Sequence, residues 1–159
     1  MRRRAVAAEA YVTLFAIRVV LRVAPGALVA WSLRLSDTPP STDRERLEEA
    51  EEIAAVVHAV ARRHLIPMLC LPCALATQVM LLRRGTRARL VIGVRRAGNG
   101  ITGHAWIEVD GGVIPRSHQI VSAKFARAER VLTQLYRSSK GHVWQHLPTS
   151  STGGADHRE

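Results

Sequence analysis

The chain has 159 residues, 47% of them apolar and 23% charged, with a formal net charge of +10. That length suits one domain around one core, and that apolar share excludes a disordered chain. The two cysteines, Cys70 and Cys73, exclude a disulfide framework and fit a reducing compartment with a nucleophilic, redox or metal role.

The N-terminal region predicts helices. Over residues 4–23, Tyr11, Leu14, Ile17, Val20 and Leu21 recur at helical spacing, and Arg2, Arg3, Arg4, Arg18 and Arg22 add positive charge. Pro25-Gly26 breaks this helix, and a shorter one is expected from Ala27 to Leu35. Packing on the core is the favoured role for the first helix; peripheral membrane contact is the second. Met1 to Arg4 looks like the start of a secretion signal, but Glu9, Arg18 and Arg22 interrupt the apolar run after it. The longest charge-free run there, Val23 to Leu33, has 11 residues. A spanning helix needs about 20. A cytoplasmic location is therefore expected.

Ser36 to Thr42 reads as a turn-rich linker. A helix is expected from Thr42 to His64, with glutamates crowding its first half and Arg62, Arg63 and His64 at its end, as the helix dipole favours. Ile66-Pro67 is an extended approach. Cys70 then opens a helix that runs to Arg84 and stops at Gly85, with Pro72 tolerated in its first turn. Residues 87–94 predict a buried strand, 95–100 a turn and 101–109 a second strand. Asp110-Gly111 is a hairpin signal, with a third strand from Val113. A helix is expected over 122–138. The tail from Pro148 has a disordered composition. The expected division is an N-terminal helical segment and linker (1–41), a globular domain (42–145) and a disordered tail (146–159). The class is α+β, with helices packed on a small antiparallel sheet.

The chemistry concentrates at two places. The partial positive charge of a helix N-terminus favours a thiolate over a thiol, and its open N–H groups can hold an oxyanion. Cys70 stands at such an end, whereas Cys73 points toward the helix body. In the second strand Thr102, His104, Trp106 and Glu108 share one face and Ala105, Ile107 and Val109 the other. The apolar face accounts for core packing and leaves His104 available as a base. Cysteine and histidine are 34 residues apart.

Taken together, Cys70-Leu71-Pro72-Cys73-Ala74-Leu75-Ala76, Leu81-Leu82-Arg83-Arg84-Gly85, Ala88 to Val94 and Gly103-His104-Ala105-Trp106-Ile107-Glu108-Val109-Asp110-Gly111 resemble the transglutaminase-like cysteine peptidases of lasso-peptide biosynthesis. These are similar to the C-terminal domain of the microcin J25 processing protein. The resemblance covers roughly residues 45–125. It implies a papain/transglutaminase-like fold, Cys70 as nucleophile and His104 as base. It further implies removal of the leader from a ribosomally made precursor peptide before a separate cyclase closes the macrolactam. No cofactor or metal is implied. The chain resembles the split form of the family, which relies on a separate leader-recognition protein. The family's third catalytic residue, an Asp about twelve residues beyond the histidine, falls here on Arg116.

The third member is open. A turn at Asp110-Gly111 would bring Ser117 and His118 opposite His104, with Gln119 close by. A side-chain amide such as that of Gln119 can orient an imidazole. Asp110 is the nearest downstream Asp, but an extended strand puts it ~20 Å away, and Glu108 ~7 Å away. Three rivals stand beside the peptidase reading. Cys70-Leu71-Pro72-Cys73 has dithiol-oxidoreductase spacing. A zinc site could draw on His58 or His64, though at no recognised spacing. A non-catalytic docking protein would use the basic N-terminal helix. The net charge suits acidic partners such as a leader or a cyclase. No nucleic-acid partner is expected, because no nucleic-acid module or aromatic-interleaved basic motif is present.

Overall fold

The helices and strands meet across one interior in the computed structural model, which describes residues 2–35, 44–98 and 100–127. The four main helices are α1 (Arg2–Val23), α2 (Pro25–Leu35), α3 (Arg44–Ala61) and α4 (Cys70–Leu82). The sheet is built from β1 (Arg89–Ala97), β2 (Gly100–Val109), β3 (Gly112–Ile114) and β4 (Ala126–Arg127), all antiparallel, in the order β3-β2-β1-β4. A 3-10 turn (Arg116–His118) and the short α5 (Gln119–Ser122) lie between β3 and β4. The expected α+β class holds. The linker over 36–42, the boundary at 41 and the tail over 146–159 lie outside the described residues.

Hydrophobic burial assembles these pieces. Ala10, Leu14 and Ile17 of α1, Ala50, Ile53, Ala54 and Val57 of α3, and Leu75, Ala76, Met80 and Leu81 of α4 form one cluster with Leu90, Ala105, Ile107 and Val109 of the sheet. Each fully buried Leu, Ile or Met in it contributes about 1.5–3 kcal/mol. α1 packs against α3 and α4, so the N-terminal helix shares the main core. Its buried stripe is rotated from the expected one. Tyr11 and Val20 are exposed, while Ala10 and Thr13 join Leu14 and Ile17 inside. Tyr11 instead stacks on the His64 ring at 4.3 Å. Val12, Phe15, Val19 and Val23 form an exposed apolar stripe.

Buried polar groups pin the helices to one another. The Ser32 hydroxyl donates to the Gln78 side-chain carbonyl, and Gln78 Nε2 donates to the carbonyls of Ser32 (3.3 Å) and Ala88 (2.9 Å). One amide thus joins α2, α4 and the approach to β1. Glu9 of α1 pairs with Arg84 at 2.6 Å just beyond α4, and that hydrogen bond holds the Glu9 carboxyl below its ordinary range. The end of α4 is closed by Thr86 N–H on the Leu81 carbonyl and Gly85 N–H on that of Leu82, with Gly85 at φ 77. This six-to-one and five-to-two pattern is the Schellman stop that the glycine predicts.

The sheet departs from expectation in two places. Strand pairing runs through Arg95–Ala97 and resumes at Gly100, because Ala97 pairs with Gly100 across a two-residue loop with Gly98 at φ 57. Such loops match the twist of the flanking strands. The helix expected over 122–138 is not formed across 123–127. There Ala126 and Arg127 pair with Val94 and Gly93 of β1, and Arg127 reaches Glu108 at 2.7 Å. Residues 128–138 lie outside the described residues. No single described helix is long and apolar enough to cross a membrane; α1 and α2 together are apolar but meet at a 120° bend.

Candidate active site

Cys70 is the first residue of α4 and is half-buried. The preceding Leu69 is extended and has no side chain able to cap the helix. Of the first-turn N–H groups, that of Cys73 bonds the Leu69 carbonyl (3.3 Å) and Pro72 has none. The N–H groups of Cys70 and Leu71 remain as the turn's open donors among the described residues. Cys73 is 3% exposed, and burial together with the nearby Cys70 pushes its thiol up to about 11. The two cysteines therefore occupy opposite environments, one at an open helix end and one in the core.

His104 sits on β2 directly across from Gly93 of β1. Alternation sets it with Trp106 and Glu108, on the side away from Ala105 and Ile107. That second face is covered as well. A Cβ at Gly93 would lie 2.7 Å from the Phe125 Cβ and 2.8 Å from the Trp106 ring, so only glycine leaves room for both. The Phe125 ring lies 5.3 Å from that of His104, and Trp106 lies 5.8 Å away. Trp106 Nε1 donates to Glu108 Oε1 at 3.1 Å, and the same oxygen accepts from Arg127. Glu108 is thereby engaged away from the histidine.

Three imidazoles gather here. β3 ends at Ile114, and the 3-10 turn beyond it brings His118 to 5.8 Å from His104. His58 of α3 stands edge-on to His118 at 4.8 Å. Glu51 of α3 fixes the turn by accepting from the Arg116 backbone N–H at 2.9 Å. Burial lowers all three imidazoles from their ordinary range. It takes His58 to about 4, with His118, Arg62 and His104 adding repulsion. In each case the neutral form is the one that the surroundings favour. His104 Nε2 is buried without a hydrogen-bond partner among the described residues. No described group of three or more His, Cys, Asp or Glu side chains is arranged to hold a metal ion.

The structure places the sequence-predicted residues unevenly around this cluster. α4, which begins at Cys70, packs on β2, which carries His104. α3 and α4 also pack together, so the short connection between them sets His58, near the end of α3, and Cys70 at one end of that helix pair. Asp110 sits in the β2–β3 turn at φ 51, with Oδ2 buried and unpartnered among the described residues. The unbroken strand between them keeps it about 20 Å along from His104. Gln119 is exposed, and its backbone carbonyl accepts from Ser122 Oγ (2.9 Å). Sequence reasoning offers His58 as a possible zinc ligand and misses its place here. Its only signal is a position one turn after Ala54 on the helix's buried side, and its partners lie 46 and 60 residues away in sequence.

No curated protein and no solved structure matches the chain. The model of the transglutaminase-like superfamily matches residues 12–130, from within α1 to beyond β4. That superfamily commonly includes cysteine peptidases. With a match over well more than half its length, spanning both the helix that opens on Cys70 and the strand that carries His104, the chain belongs to the transglutaminase-like superfamily.

Proposed function

We propose that this protein is a cysteine peptidase that removes the leader from a ribosomally synthesised lasso precursor, with Cys70 as nucleophile and His104 as base. The observation that carries the reading is the uncapped helix start at Cys70, inside a superfamily match that spans both Cys70 and His104. In the proposed reaction His104 takes the Cys70 proton as sulfur attacks the carbonyl at the leader–core junction. The N–H groups of Cys70 and Leu71 stabilise the oxyanion. His104 then protonates the departing amine, which becomes the new N-terminus of the core peptide. Water hydrolyses the thioester and frees the leader.

A separate recognition protein supplies the leader, and the net charge of +10 favours an acidic leader or cyclase surface. The exposed stripe on α1, flanked by the exposed Arg18 and Arg22, supports peripheral contact with a membrane. The test is mass spectrometry of a precursor incubated with the protein and its recognition partner. Leader loss that persists in Cys73→Ser and vanishes in Cys70→Ala supports the reading. Leader loss that persists in Cys70→Ala overturns it.

A further inference from the structure

A general base in a cysteine or serine hydrolase works best when a third group fixes its ring and tautomer. The structure poses that requirement sharply. His104 Nε2 is buried and unpartnered among the described residues, so bulk solvent does not reach the ring from that side. The usual acceptors are engaged, distant or exposed to solvent. Glu108 is occupied by Trp106 and Arg127, Asp110 lies at the far end of β2, and Gln119 is exposed.

Among the described residues, a polar ring that does lie against His104 is that of His118. Two imidazoles sharing an N–H···N bond of about 2.9 Å have centroids about 5 Å apart. The observed separation is 5.8 Å, at a tilt of 50°. A small side-chain rotation closes that gap, of the kind by which catalytic hydrogen bonds tighten when substrate binds. His118 is braced for this role by the His58 ring at 4.8 Å and by the Glu51 bond to the Arg116 N–H.

We propose that His118 is the positioning residue of the site: its ring nitrogen accepts the Nε2–H of His104, and His58 holds that ring in place. The inference rests on the assignment of Cys70 and His104 above. His118 accepts in its neutral form, which burial favours. Burial disfavours the charged form of both rings, and the groups that add to this at His58 are His118, Arg62 and His104. Arg95 lies over the Phe125 ring at 5.2 Å. A neutral acceptor fixes the tautomer that leaves Nδ1 of His104 free for the thiol. It stabilises the imidazolium less than a carboxylate would.

The experiment tracks alkylation of Cys70 by iodoacetamide against pH, read by intact mass. Buried Cys73 stays unlabelled in the folded protein and reports any loss of structure. The comparison is wild type, His104→Ala, His118→Leu and His118→Asn; leucine and asparagine differ from histidine modestly in volume, and only asparagine can accept. The expected result is a reaction at pH 6–7 that falls about tenfold in His104→Ala and in His118→Leu and recovers to within about threefold of wild type in His118→Asn, the size of effect general-base positioning carries. If His118→Leu keeps the wild-type profile, or both His118 variants lose it equally, His118 does not position the base. If His104→Ala itself keeps the profile, the Cys70–His104 pair falls and this inference with it. Should His118→Leu expose Cys73, His118→Ala against His118→Asn makes the same comparison.

Discussion

Gly93 and His104 face each other across the β1–β2 ladder, and the absent side chain of one makes the surroundings of the other. Trp106 and Phe125 fill the space that a Cβ at Gly93 would claim, at 2.8 and 2.7 Å. The histidine is thus set against aromatic surfaces on a face that alternation alone would leave open to water. Gly93→Ala is expected to destabilise the protein by about 1–3 kcal/mol, the range for overpacking a filled site. It should lower the proposed leader cleavage along with stability. Urea unfolding monitored by tryptophan fluorescence measures the first effect; an unchanged midpoint would show that the aromatic cover yields freely.

The two cysteines separate cleanly by environment. Cys73→Ser is expected to leave cleavage within a few-fold of wild type. It should cost about 1–3 kcal/mol of stability, because a buried hydroxyl replaces a thiol that needs no partner. Loss of cleavage in folded Cys73→Ser protein would instead favour dithiol chemistry.

Acid should destabilise the fold through the imidazole cluster. His58 is lowered from 6.5 to about 4, so between those values the unfolded chain binds a proton that the folded chain does not. Stability is therefore full above pH 6.5 and falls as pH drops through that window, by up to about 1.4 kcal/mol per pH unit for one such histidine. His104 and His118 act in the same direction. Glu9, whose carboxyl is held low by Arg84, loses its contribution at still lower pH. Denaturant melts of His58→Gln from pH 7.5 to 4.5 should show a shallower decline than wild type; parallel curves would remove His58 from the account.

The outer stripe of α1 predicts adsorption to anionic vesicles. Val12, Phe15, Val19 and Val23 are exposed, and Arg18 and Arg22 lie along the same helix. Co-sedimentation should be several-fold stronger with anionic than with neutral vesicles, weaken with salt, and drop in a Phe15→Ser/Val19→Ser variant. Equal sedimentation of the variant would exclude this face as the lipid contact.

Local patterns were sufficient for much of the molecule. The helix opening at Cys70 was legible because Pro72 suits a first turn and Gly85 a stop, and both act within a few residues. The β1–β2–β3 meander was legible from alternation and from the Gly98 and Asp110-Gly111 turns. What sequence could not supply was the second face of β2. Its cover comes from Phe125 and Arg127, in a segment whose composition reads as helix but which pairs with β1. Nor could periodicity find the His58–His118–His104 row, since α3, the 3-10 turn and β2 meet only after the core forms. Propensity is a local quantity, whereas which imidazole lies beside which is set by long-range packing. The sequence by itself determined the helix that opens at Cys70, the strand that carries His104 and the α+β class; the tertiary structure alone decided what surrounds the histidine, because burial and neighbours are properties of the assembled core.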